Sequence, residues 1–179
     1  MQLPEVWGAT AEEMAAVYRC DEILPEPGAM WFRAITVKAP RTVLFRWLCQ
    51  VKVAPYSYDL LDNFGRRSPR KLTPGTEELQ VGQQVMTIFE LVDFEPNEEL
   101  TLRMRSRAGL KLFGDFAISY TVREHGGQTR LVVKLLLGNA PGLFPAARRR
   151  ALAWGDLLMM RRQLLTFRNL AERDSATSS

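Results

Sequence analysis

The chain reads as an α+β protein, an antiparallel sheet curled around one long carboxy-terminal helix. Three observations predict this. A strand over residues 30–37 comes early and is followed by two short helical stretches. A run of strands fills 85–138. Residues 146–172 then carry an apolar stripe at helical spacing. A sheet wrapped around a terminal helix encloses space, so this order suggests a protein that holds an apolar molecule.

The elements follow in order. Residues 9–19 form a short helical segment, and Thr10 with Glu13 three residues on fits a capping box. Pro25, Pro27 and Gly28 break the chain before the strand. Residues 31–37 are rich in β-branched and aromatic side chains. Pro40 ends that strand and opens a helix over 41–50, where its missing N–H is not needed. Val43 with Trp47, and Leu44 with Leu48, make one apolar side of it. Ser57 can cap a second short helix over 58–63 that Gly65 closes. Residues 65–83 are polar and read as a long exposed loop with room for a short edge strand.

The hairpin over 115–138 is the best determined piece. With Gly126-Gly127 as a two-residue turn, Val122 faces Leu131, Tyr120 faces Val133, Ile118 faces Leu135 and Phe116 faces Leu137. All eight share one face, while Arg123, Arg130, Ser119 and Lys134 share the other. A one-residue slip would turn the apolar face outward. In the hairpin over 85–106 the turn lies at Pro96-Asn97-Glu98. An odd turn pairs Phe94 with Leu100 and Val92 with Leu102. An even turn would bury Asp93 and Glu95 at roughly 1–3 kcal/mol or more each. The odd turn is therefore expected, and it puts Glu90 on the inner face opposite Met104.

In the last helix Ala153, Leu157, Met160, Leu164, Phe167 and Ala171 recur at spacings of three and four, and Trp154, Leu158 and Leu165 widen that stripe. Residues 1–173 read as a single domain and 174–179 as a disordered tail.

Composition narrows the function. The 179 residues are 46% hydrophobic, enough for one domain with a real core. No run of 18 apolar residues is present, and the amino terminus lacks a secretory pattern. Cys20 and Cys49 lack metal or redox spacing and read as reduced, structural thiols of a cytoplasmic protein. The one histidine, His125, falls in a turn, which excludes metal sites built from several histidines. A nucleophile pair using that histidine is improbable, and no glycine-rich phosphate loop appears. No metal or cofactor is implied. Net charge is +4. The last helix is basic through Arg148, Arg149, Arg150, Arg161, Arg162, Arg168 and Arg173, opposed only by Asp156, Glu172 and Asp174. A solvated surface explains this more simply than contact with anionic membranes. No aromatic pattern of an RNA-binding sheet accompanies it, so nucleic acid is not expected.

Five blocks in order, WGATAEEM, RAITVKAPRTVLFRWLCQ, YSYDLLDNFG, LQVGQQV and GDLLMMRRQLLTFRNLAE, span most of the chain. The ordered set resembles the START-like, or helix-grip, superfamily. That superfamily includes pollen-allergen-like and polyketide cyclase/dehydrase-like proteins (SRPBCC), and the match is closest to a bacterial branch of it. Relatives usually show a glycine-rich stretch after the first helix where this chain has VKVAP, and Gly-Asp where this chain has Gly82-Gln83. The resemblance implies a curved antiparallel sheet gripping the last helix over a cavity. Members bind lipids, sterols, polyketides or plant hormones, and a few catalyse cyclisation or dehydration. No shared catalytic residue carries over, and fold alone does not set function.

The candidate site residues are Glu90 and Met104 on the inner face, Tyr120 with a hydroxyl in need of a partner, and Arg161 between apolar stripes of the last helix. Trp154 and Leu157 join them as cavity wall. Tyr58, Asp62 and Asn63 lie on the second short helix, which the resemblance places near a cavity mouth. Each has a plainer role: Glu90 at a strand end reaching water, Arg161 laying its stem on the core, and the 58–63 polar groups as helix-end residues. The leading expectation is a carrier or sensor of a small apolar ligand with one polar end. The rivals are an enzyme of the cyclase/dehydratase kind, and a membrane- or protein-docking module that uses the basic helix.

Overall fold

Strand pairing sets the architecture. The computed structural model describes residues 3–57, 67–139 and 145–177. Its strands are β1 (Val6–Trp7), β2 (Ala29–Val37), β3 (Gln84–Val85), β4 (Phe89–Glu95), β5 (Glu99–Met104), β6 (Phe116–His125) and β7 (Gln128–Leu137). They form one seven-stranded sheet in the order β1-β2-β7-β6-β5-β4-β3. The helices are α1 (Ala11–Ala15), α2 (Arg19–Ile23), α3 (Arg41–Cys49), α4 (Arg107–Phe113) and α5 (Pro145–Thr177), with a 3-10 turn at Gln50–Lys52 after α3. The sheet is open, and α5 and α3 lie on its inner face. The expected sheet was antiparallel throughout; the observed one is mixed, because β1 pairs parallel with β2 through Val6–Phe32 and Trp7–Arg33.

The β6–β7 hairpin has the expected register: Phe116–Leu137, Ile118–Leu135, Tyr120–Val133 and Val122–Leu131 are all paired. Gly126 and Gly127 take the positive φ values of 58° and 75° that such a tight turn requires. The odd turn between β4 and β5 is also present, with Phe94 opposite Leu100. Beyond it, a bulge between Leu91 and Asp93 shifts the pairing. Leu91 faces Leu102 and Phe89 faces Met104, so Glu90 is opposite Arg103 on the outer face. The expected inner position of Glu90 is thereby corrected. One inserted residue reverses the alternation, and it buries Phe89 in place of a carboxylate.

Pro40 stands at the N-cap of α3, whose Leu44, Trp47 and Leu48 are buried. The second helix expected over 58–63 lies outside the described residues. Helix α4 was not expected; Ser106 caps it by accepting from the Gly109 N–H. Helix α5 passes its expected end and runs to Thr177, so the tail expected at 174–179 is helical as far as that residue. Ser175 and Thr177 donate their hydroxyls to the carbonyls of Ala171 and Arg173.

Two cores result. The inner one joins β2 and β4–β7 to α3 and to Ala153, Met160, Leu164, Phe167 and Ala171 of α5. The outer one lies under the amino-terminal segment, where Tyr18 and Cys20 cover Phe32, Ala34, Ala117, Val132 and Leu136. The capping box of α1 is formed, and Glu13 reaches on to Arg130 of β7 at 2.6 Å. Lys134 pairs with Asp21 at 2.6 Å beneath the same segment.

Candidate functional site

The inner face does not close fully on α5. A cavity of about 720 Å³ opens between them, within the roughly 300–1,000 Å³ usual for small-molecule sites. The sheet contributes Phe89, Met104, Phe116, Ile118, Tyr120 and Leu135. Helix α5 contributes Leu152, Gly155, Asp156, Met159, Met160 and Gln163. Val53, Ala54 and Pro55 form one side of the mouth, and Met86, Thr87 and Ile88 form the other. Phe89 and Phe116 lie with ring centres 5.7 Å apart. At the mouth, Met86 and Thr87 hold φ values of 48° and 66°, uncommon for residues with a Cβ and more so for a β-branched one.

Lys52, Ser57 and Thr87 are polar members of the lining, and three further polar groups, Tyr120, Gln163 and Asp156, interrupt the wall between sheet and α5. Tyr120, 1% exposed, donates its hydroxyl to Gln163 Oε1 at 2.9 Å, and Gln163 Nε2 donates to the Pro55 carbonyl at 2.6 Å. This chain ties sheet, helix and mouth together. Burial pushes the Tyr120 phenol well above its ordinary range, so it stays neutral and keeps the hydrogen it donates to Gln163. The third group is Asp156. Its Oδ2 accepts from Arg33 Nη2 at 2.8 Å and from Arg33 Nε at 3.2 Å. Its Oδ1 takes no hydrogen bond among the described residues. Burial pushes the carboxyl up to about 6, against the opposing pull of Arg33. Arg33 is fully buried on the inner face of β2, and its Nη1 donates to the carbonyls of Glu5 and Phe32.

Of the expected site residues, the structure brings Tyr120 and Met104 into the cavity wall. Leu157 is buried and does not line the cavity. Trp154, expected as wall, is 42% exposed. The cavity-lining residues of α5 instead include Leu152, Asp156, Met159, Met160 and Gln163. Arg161 is exposed, with its guanidinium over the Trp7 ring at 5.8 Å. Glu90 is 3.4 Å from Arg105 on the outer face, away from the cavity. Tyr58, Asp62 and Asn63 lie outside the described residues, although the adjoining Ser57 lines the mouth.

Arg33, Asp156 and Gln163 were missed. A signal existed for the pair. Arg33 occupies the apolar register of Trp31, Ile35 and Val37, and Asp156 is the single acid between Pro145 and Ala171. A buried cation on one element and a lone acid on another are natural partners.

No family model matches the sequence, and no curated protein matches it. Solved structures do. Protein MLL2253 of Mesorhizobium loti aligns at a TM-score of 0.53 and 15% identity, covering 80% of this chain and 97% of that one. Protein NE0264 of Nitrosomonas europaea aligns at 0.52 and 8% identity, covering 82% and 96%. StfQ, a di-domain ARO/CYC of steffimycin biosynthesis, aligns at 0.52 and 12% identity over 82% of this chain and 51% of its own. The chain has the helix-grip fold. At these identities the likeness speaks for the fold and leaves the chemistry of the cavity to its own residues. Among the described residues, no helix is long and apolar enough to cross a membrane.

Proposed function

We propose that the protein binds a small, largely apolar ligand with one polar end between the sheet and α5, as a carrier or sensor. The observation that carries this reading is the cavity itself, apolar on most of its wall, with Asp156, Tyr120 and Gln163 among its polar groups. The test uses a neutral naphthylamine dye titrated into the full chain. Saturable one-to-one binding is expected. A Cβ on Gly155 would meet no atom within 4 Å, so Gly155→Phe fills the space without displacing the core. Binding that survives Gly155→Phe unchanged, in a variant that melts as a folded protein, places the dye elsewhere and removes this reading.

A second reading draws on Asp156. A buried carboxyl near pH 6 beside a phenol is suited to proton transfer, and StfQ is described as an ARO/CYC protein. On this reading the protein processes a polyketide-like ligand, and Asp156→Asn abolishes turnover while sparing binding. A weak contact with anionic membranes is favoured by one surface. Trp154, Leu158 and Met159 are exposed on α5 beside Arg150 and Arg162, which form no ion pair among the described residues. Salt-sensitive sedimentation with anionic vesicles, lost in Trp154→Ser/Leu158→Ser, is the outcome expected of it.

A further inference from the structure

The Arg33–Asp156 pair is arranged asymmetrically. Both Arg33 bonds fall on Asp156 Oδ2, and Oδ1 is left without a protein donor in a residue that lines the cavity. Arg33 itself is spent: its remaining bonds go to backbone carbonyls of Glu5 and Phe32, and it does not line the cavity. At Asp156 a ligand therefore meets the carboxylate and not the Arg33 cation; Lys52, the cation that does line the cavity, donates its ammonium to the carbonyls of Gly75 and Glu78. An ionised carboxylate accepts hydrogen bonds and donates none. The nearby Tyr120 already donates its O–H to Gln163 Oε1, which leaves its oxygen as a further acceptor.

We infer that Asp156 Oδ1 is the specificity determinant of the cavity, selecting ligands whose polar end donates a hydrogen bond, a neutral hydroxyl or N–H, over ligands that end in a carboxylate. This rests on the ligand-binding reading above. A hydroxyl placed at Oδ1 supplies a hydrogen-bond partner that no protein donor among the described residues provides. A carboxylate there brings two anions together, and Arg33, the cation paired with Asp156, is engaged on the far oxygen. Selection of this kind is sharp because the mismatched ligand leaves a buried polar group without a partner.

The test compares two probes of equal ring size, naphthol and naphthoate, titrated at neutral pH into the wild-type chain, Asp156→Asn, and the doubly substituted Arg33→Leu/Asp156→Leu. The double variant is included because replacing both members of a buried pair by apolar residues is often tolerated where removing one is not. Wild type is expected to bind naphthol about tenfold or more tightly than naphthoate, the equivalent of about 1.4 kcal/mol. In Asp156→Asn the ratio is expected to fall to about threefold or less, with naphthoate gaining affinity, and in the double variant naphthol is expected to weaken about threefold or more because its acceptor is gone. Equal affinities in the wild type, a ratio that persists in Asp156→Asn, or naphthol affinity unchanged in the double variant overturns the role of Asp156 and leaves the cavity reading standing. Failure of both probes to bind the wild type removes the cavity reading and this inference with it.

Discussion

Asp156 links the stability of the fold to pH. Its carboxyl lies at about 6 in the folded protein against an ordinary 3.8, because burial outweighs the attraction of Arg33. Burial also draws the Arg33 guanidinium down. A carboxyl that is raised on folding binds more protons in the native state than in the unfolded one between those two values. Its contribution is therefore complete below the unfolded value and is lost as pH rises through about 6. Relative to Asp156→Asn, wild type should lose up to about 3 kcal/mol across that window. Denaturant melts at stepped pH measure this, and a constant difference between the two proteins would contradict it. Removing Arg33 alone, as Arg33→Met, leaves the carboxylate unpaired and should cost roughly 3 kcal/mol at neutral pH. Arg33→Leu/Asp156→Leu should cost less than that. The two thiols behave differently: burial pushes Cys20 up to about 11 and Cys49 up to about 12, as expected of structural cysteines that stay protonated.

At the scale of elements, legibility depended on whether local pattern and global packing agreed. In the β6–β7 hairpin they agree at each position, and every expected pair is present. In β4–β5 the turn was readable and the bulge was not. Alternation in Phe89–Glu95 is compatible with two registers, and choosing between them requires knowing what covers the face. Helix α5 was readable as a stripe, but the side on which the stripe widens was not, since Trp154 and Leu158 are as apolar as any core residue. Their exposure reflects what lies opposite, which periodicity does not encode. Gly155 sits mid-helix in the cavity lining, and a Cβ there would meet no atom within 4 Å. Gly155→Ala should raise stability by roughly 0.5–1 kcal/mol through a more restricted unfolded chain. Equilibrium unfolding checks this, with dye binding retained because one methyl barely narrows the space. A destabilised alanine variant would mean that the helix needs glycine there for a close approach.

At the scale of the molecule, the sheet separates two apolar compartments with different tasks. The inner one holds the cavity, and the outer one seals the sheet beneath the amino-terminal segment. Glu13 shows how that segment is fastened. Burial alone would raise its pKa, but hydrogen bonds from Arg130 and the Thr10 N–H bring it below the ordinary value. Tyr18→Ala should cost roughly 2–4 kcal/mol by opening a void over Phe32, yet leave affinity for the naphthylamine dye within about twofold of wild type, a difference of about 0.4 kcal/mol. Loss of both together in a variant that remains folded would show that the compartments are coupled across the sheet.

The sequence by itself determined the order of β2, α3, the two long hairpins and α5, the register of the second hairpin, the helical stripe and an interior wide enough to suggest a ligand. These depend on periodicity and turn chemistry, which are properties of neighbouring residues. Only the tertiary structure decided the polar end of the cavity. Arg33 and Asp156 are 123 positions apart, and Tyr120 and Gln163 are 43 apart. Each partner is ambiguous alone, an arginine in a strand or a glutamine in a helix. The desolvation that gives each pair its chemistry exists only once the sheet and α5 have closed on each other.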